Sequence, residues 1–294
     1  MVGQMETTDA SLALADHYLE LDRFGDALRA LDDARGDALH DPRYWWLRAR
    51  AELGVGQPWK CIKAAQSGLA LDPDDTDLLT VLAFGWLRMG EPDQAEKQLV
   101  RTVELEPWSP QRRANLALVL AEMKRFPEAM DMVTSALELD PSSSVALGIR
   151  AQIAVMSGHG NADRFVDEAL AEDPGDDLAH ALRGHLALRD KRFSDAAQAF
   201  DAAAHIDPAD AAHAANARET RLLMHPLLAP VRPIWRFGRQ QSYIVFLALF
   251  IGFRAAGLDW IAGICGVIWL VLVVLSRLGP RYLRWREGRK YGGF

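Results

Sequence analysis

A dipeptide of acid and proline returns through this chain at a nearly constant interval. It ends at Pro73, Pro107, Pro141, Pro174 and Pro208, within "LDP", "LEP", "LDP", "EDP" and "IDP". The spacings are 34, 34, 33 and 34 residues, and an earlier "HDP" ends at Pro42. Such a period marks a stacked array, in which each unit buries its apolar face only against its neighbours.

Each unit reads as two helices. "DTDLLTVLAFGWLRM", residues 75–89, carries Leu79, Leu82, Ala83 and Trp86 at helical spacing. "GEP" follows, with Gly90 as a stop and Pro92 near the next start. "DQAEKQLVRTVEL" is a second helix with Ala95, Leu99 and Val103 on one face. Pro107 cannot continue that helix, so the chain reverses into the next unit.

These residues resemble the tetratricopeptide repeat (TPR) family. The third unit matches its pattern through Leu79, Leu82, Ala83, Trp86, Ala95, Leu99, Thr102 and Pro107. The fourth places Arg113 at the first of these positions and then matches through Leu116, Ala117, Leu120, Ala129, Val133, Ala136 and Pro141. Ala196, Phe200, Ala203 and Pro208 match in the sixth, and Leu14, Ala15, Tyr18, Ala27, Leu31 and Ala34 in the first. Small residues at these places let helices approach closely while large ones fill the space beside them. The second unit, around "YWWLRARAELG", fits several registers, and the fifth is one residue short with an "SGHGN" turn. Both are expected to show local bends or altered contacts. "ADAAHAANARETRLLMH" after Pro208 reads as a capping helix. The expected fold is all-α: a right-handed superhelical TPR solenoid of about six helix pairs plus the cap over residues 1–225, followed by a two-helix membrane hairpin.

The resemblance implies a concave groove lined by the first helix of each pair. In the third unit the groove positions are Asp77, Thr80, Phe84, Leu87 and Arg88. The fourth supplies Gln111, Ala114, Leu118, Ala121 and Glu122, with Asn115 beside them. The sixth supplies Leu178, Ala181, His185, Leu188 and Arg189. Such a wall suits a protein or peptide partner. One TPR subclass clamps carboxylates with lysines and asparagines; here Asn115 stands alone at those positions, without lysine, in units three to six. The expected groove is instead apolar, around Phe84, Leu87, Leu118 and Leu188.

No catalytic constellation emerges. His180 and His185 lie five residues apart, so they do not share a helical face as ligands would. "GHG" at Gly158 follows no strand and lacks the lysine of a phosphate loop. Cys61 and Cys265 have neither metal nor disulfide spacing. The expectation is a non-enzyme with no metal and no cofactor.

Composition is strongly divided. From Val231 onward there are ten basic and two acidic residues, leaving 23 basic and 38 acidic before it. An acidic body argues against nucleic-acid binding, and a basic, apolar tail suits an anionic membrane surface. From Gln241 to Ser276 the chain is apolar except for Arg254 and Asp259. One span of that length would make about 54 Å of helix, too long for a hydrocarbon core of roughly 30 Å. Two helices, about 241–257 and 259–276, fit better, with Gly257 ending the first and Asp259 capping the second. Arg254 then snorkels to the far interface or pairs with Asp259. Ala248, Gly252 and Ala256 recur at every fourth position, as do Ala262 and Gly266. Folding about the turn sets Gly252 against Gly266 and Ala256 against Ala262.

Residues 226–240 read as a Pro/Arg-rich linker and 277–294 as a basic cytoplasmic tail. Cations flank the hairpin on both sides, and the N-terminus has no secretory signal. The positive-inside rule places solenoid and tail in the cytoplasm, the expected setting being a bacterial inner membrane. The expected function is a membrane-tethered TPR adaptor. The alternative is a subunit or assembly factor of a larger membrane complex, with the hairpin as the contact and a homo- or hetero-oligomer as the product.

Overall fold

Asp41, Asp75, Ser109, Ser143, Asp176 and Asp210 each stand just before a helix, and each side chain accepts a hydrogen bond from a backbone N–H of the first turn. These caps satisfy donors that a helix start leaves unpaired. A second signal recurs with the same period. Backbone φ turns positive at Asp22 (52°), Gly56 (74°), Gly90 (80°), Lys124 (61°), Gly158 (69°) and Lys191 (60°). After each, an N–H reaches back to a carbonyl five residues earlier: Arg23 to Tyr18, Gln57 to Glu52, Glu91 to Trp86, Arg125 to Leu120, His159 to Ala154, Arg192 to Ala187. This left-handed stop turns the first helix of each pair into the second.

The computed structural model describes residues 2–34, 36–208, 210–231 and 239–291. Every regular element among them is a helix. The first pairs are α1 (Val2–Glu20) with α2 (Phe24–Asp32), α3 (Pro42–Gly54) with α4 (Pro58–Leu69), and α5 (Thr76–Arg88) with α6 (Pro92–Leu105). Then come α7 (Pro110–Glu122) with α8 (Phe126–Leu139), α9 (Ser144–Ser157) and α10 (Ala162–Glu172), and α11 (Asp177–Arg189) with α12 (Phe193–Ile206). α13 (Ala211–Leu223) packs on α12 as the cap. The chain divides into two units, Met1–Asn161 and Ala162–Phe294.

The division falls in the short "SGHGN" turn of the fifth pair, where irregularity was expected. In the second pair, the cap at Asp41 and the stop at Gly56 are regular. Its departure lies upstream, in a 3₁₀ helix over Gly36–His40, where Trp45 Nε1 donates to the Leu39 carbonyl at 3.0 Å. Pro42 is the first residue of α3, as Pro110 is of α7. It is therefore a helix start and not an equivalent of Pro73, which explains its odd interval.

Small residues at the crossings are fully buried, as the pattern requires: Ala83, Ala95, Ala117, Ala129 and Ala136 have no exposed surface. In unit 2 that place is held by Gly184, where an added Cβ would sit 2.7 Å from the Phe200 ring. Leu79, Leu99, Val133 and Phe200 fill the space alongside. Each such side chain contributes roughly 1.5–3 kcal/mol by leaving water.

Beyond the cap, Pro226–Val231 is a 3₁₀ helix, with Leu228 and Val231 buried. The expected linker is thus packed structure over residues 226–231; residues 232–238 lie outside the described part. α14 spans Arg239–Ala255 and α15 Asp259–Tyr291. The second helix does not stop at 276 but runs on to Tyr291, through Pro280. The expected basic tail is helix for most of its length.

Candidate partner-binding surfaces

In unit 1, Asp77 and Arg88 on α5 are exposed, and Thr80, Phe84 and Leu87 are half-buried beside them. On α7, Gln111 and Glu122 are exposed and Leu118 half-buried. Asn115 departs from expectation: only 6% is exposed, and its Oδ1 accepts from Gln111 Nε2 at 3.3 Å. Packing against α7's own neighbours withdraws it from the surface. His185, Leu188 and Arg189 belong to α11 of unit 2. His185 sets its ring edgewise on Phe200, at 5.0 Å between centroids. Burial, with His213 nearby, pushes its pKa below the usual imidazole value. Arg189 is held by Asp163 at 3.4 Å and Asp190 at 3.2 Å.

Two polar anchors lie beneath these surfaces that sequence reasoning missed. Arg112 of α7 is mostly buried and donates to Thr76 at 2.8 Å, Asp77 at 2.8 Å, Thr80 at 3.2 Å and Glu106 at 2.9 Å. Thr76 also donates to Glu106. The guanidinium, aided by Thr76, holds the Glu106 carboxyl below its usual range. His213 of α13 repeats the arrangement in unit 2. Its Nε2 lies 2.7 Å from Asp177 and 3.5 Å from Asp210, while its buried Nδ1 has no hydrogen-bond partner among the described residues. The signal was available: Leu78 follows cap Asp75 by the same three residues as Arg112 follows Ser109 and His213 follows Asp210. Leu78 is buried at that place, so a polar side chain there needs a partner.

A cleft of about 460 Å³ lies between α10, α11 and α12. Its charges neutralise one another, as in Arg183–Asp167 and Arg192–Asp195. Among the described residues no three His, Cys, Asp or Glu side chains gather to hold a metal ion.

The chain reverses between α14 and α15. Gly257 has φ 76°, and the Leu258 N–H reaches back to the Phe253 carbonyl at 2.9 Å. This is the stop used inside the repeats. α15 begins at Asp259 itself, and the side chains of Asp259 and Ala262 lie outside the described part. Among the described residues the expected small-residue seam is not formed. A Cβ added at Gly252 or at Gly266 would meet nothing within 4 Å, and Ala248 and Ala256 are exposed. Aromatic rings hold the pair instead. Trp269 stacks on Phe246 at 4.7 Å between centroids and meets Tyr243 at 5.6 Å. Rings this large keep the two backbones too far apart for glycine to matter. Arg254 is exposed in the last turn of α14.

Among the described residues one helix segment, Gly263–Leu283, is long and apolar enough to cross a membrane, with 21 residues and a mean hydropathy of 1.9. The apolar part of α14, Gln241–Ala255, is shorter. The C-terminal half of the Gly263–Leu283 segment docks on the cap. Leu283 is buried with Leu228 and Val231, and Leu222, Leu272 and Leu275 pack around them. A Cβ at Gly279 would sit 2.6 Å from Leu228 Cδ2, so glycine permits this approach.

Tetratricopeptide repeat models match residues 12–57, 87–153 and 162–211. The chain belongs to the tetratricopeptide repeat family, a fold whose general use is protein–protein interaction. Among solved structures it is similar to a tetratricopeptide repeat protein from Parabacteroides merdae, at 16% identity and TM-score 0.65, over 72% of this chain and 83% of that one. A thermophilic TPR protein from Thermus thermophilus is 17% identical with TM-score 0.57, over 62% and 100%. PilF of Pseudomonas aeruginosa is 17% identical with TM-score 0.52, over 74% and 98%. At these identities the likeness is one of fold. No curated protein matches the chain.

Proposed function

We propose that the protein is a membrane-tethered TPR adaptor that holds a protein or peptide partner in its repeats and carries out no reaction. The observation that carries the tether is the outward exposure of large apolar side chains on both hairpin helices. Ile244, Val245, Leu249 and Ile251 on α14, and Val267, Ile268, Leu270 and Val271 on α15, are all at least half exposed. A patch of this size is unfavourable in water and ordinary in lipid.

The docking of α15 supports a two-span hairpin. Leu283 sits on Leu228 and Val231, which precede the hairpin in the chain. Both ends of the hairpin therefore lie on one side of any bilayer that α15 crosses, and α14 provides the outward crossing. Its apolar part of about 22 Å is short for a 30 Å core and calls for local thinning. The cations before and after the hairpin favour a cytoplasmic setting for that common side.

The partner surface is the α5–α7 face of unit 1 around Phe84, Leu87 and Leu118. Full-length protein bearing Phe84→Glu and Leu118→Glu is expected to lose the partner that the wild type retains from detergent-solubilised membranes. Undiminished recovery would exclude this face. Recovery in the soluble fraction without detergent would refute the tether.

One observation favours the alternative of an assembly subunit. Gly252 and its exposed neighbours Ala248 and Ala256 face outward, where another membrane helix can approach closely. In that case Gly252→Leu disrupts co-purification more than the groove substitutions do.

A further inference from the structure

We propose that Arg277 and Arg281 form a site for the phosphodiester group of an anionic phospholipid, on the side of α15 turned away from the cap. The proposal rests on the membrane reading above and adds a lipid class to it.

The argument starts from helix geometry. Leu272, Leu275, Gly279 and Leu283 form the face seated against the cap. At 100° per residue, Arg277 and Arg281 lie only about 40° apart and on the opposite side of the helix. Both are exposed, and neither has an ion-pair or hydrogen-bond partner among the described residues. Between the two faces lie Leu278 and Tyr282, 54% and 53% exposed. At one level the helix thus offers a cationic pair beside an apolar and amphipathic pair.

On the membrane reading that level lies at the cap-side edge of the bilayer, since the cap already packs on Leu272 and Leu275 just before it. From Asp259 to Ser276 the sequence has no charge other than Asp259, and 18 residues of helix span about 27 Å. Arg277 is the first cation after this stretch, so the arginines fall where lipid phosphates lie. A guanidinium binds phosphate oxygens with two parallel hydrogen bonds. Leu278 and Tyr282 then meet the glycerol and upper acyl carbons of the same lipid. A zwitterionic lipid brings its own cation to the phosphate. Two unneutralised guanidiniums therefore favour a headgroup with net negative charge. Docking on the cap sharpens the site, because it fixes which side of the helix faces the lipid.

The test uses full-length protein in vesicles of phosphatidylcholine alone and of phosphatidylcholine with phosphatidylglycerol. Flotation reports insertion, and native mass spectrometry after gentle extraction reports which lipids stay bound. Wild type should float with both vesicles and retain phosphatidylglycerol well above its bulk share. Arg277→Gln with Arg281→Gln should float equally but lose that enrichment, by about fivefold for each arginine and about thirtyfold for both at low salt. Arg277→Lys with Arg281→Lys should keep part of it, and Arg218→Gln on α13 all of it. Enrichment unchanged in the glutamine double variant, or displaced by millimolar inorganic phosphate, would overturn the lipid site while leaving the tether intact. Protein that floats with neither vesicle would overturn both.

Discussion

His213 Nε2 stands 2.7 Å from Asp177 Oδ2, a residue 36 positions earlier. Arg112 makes the same reach to Thr76, at 2.8 Å and also across 36 positions. Each joins the third residue after a cap to the first residue after the previous cap in its own unit. In an array stabilised by nearest neighbours, such a bond couples one repeat to the next. Removing one partner leaves the other buried and unsatisfied, at a cost of roughly 1–3 kcal/mol. Asp177→Ala is therefore expected to lower the thermal midpoint of the detergent-solubilised protein, measured by circular dichroism. An unchanged midpoint would show that this bond does not couple the cap to the preceding repeat.

Acid sensitivity follows from the second anchor. Arg112, together with Thr76, holds Glu106 below its ordinary value of 4.5, so the folded chain binds this proton less readily than the unfolded one. The stabilisation is complete above about pH 4.5 and is lost as pH falls through the lower folded value. Glu106→Gln should flatten that part of the stability–pH curve, followed by urea titration between pH 6 and 3. Arg112→Met should flatten it too while lowering stability at neutral pH.

Lys124 and Lys191 occupy left-handed stops that glycine holds at Gly56, Gly90 and Gly158. A side chain there carries strain of about 1 kcal/mol. Lys124→Gly and Lys191→Gly should each raise stability by about that amount, read from chemical denaturation. Glycine in the middle of α8 or α12 would do the reverse.

Cys61 is fully buried against the Val81 carbonyl, and burial, with a smaller push from Glu52, drives its thiol up to about 12. At pH 8 it is almost wholly protonated and shielded. In a Cys265→Ser background, Ellman's reagent should find no reactive thiol until denaturant is added. Rapid labelling of the folded protein would mean that α4 and α5 separate readily.

The seat of α15 on the cap has its own test. Gly279→Val places atoms where Leu228 now lies. Hydrogen exchange over Pro226–Val231 is expected to accelerate, while α5–α8 remain protected. Equal protection in wild type and variant would contradict the docked arrangement.

Much of this was legible in the sequence, for definite reasons. The period fixes helix pairs because proline and left-handed stops act locally, and the buried faces follow from helical spacing. Gly257 was readable as a turn for the same reason. The hairpin seam was not. Ala248, Gly252 and Gly266 satisfy a spacing rule, but Trp269 and Phe246 are large enough to set the separation, and spacing alone does not weigh ring size. Asn115 shows the limit for the groove: its position matched, yet its amide turned to Gln111. For Arg112 and His213 the buried register was readable from the caps, but not the partner, because each is bonded to a residue a full repeat away.

A flexible linker would let the repeats explore a hemisphere of solvent above the membrane, diluting any captured partner. The packed Pro226–Val231 helix makes α15 a strut instead. A ligand held by the C-terminal unit would then be confined to one height and one orientation above the lipid. If the hairpin is inserted as proposed, the ligand's encounters with other membrane proteins become a search in two dimensions, with geometry taking over the part usually given to affinity.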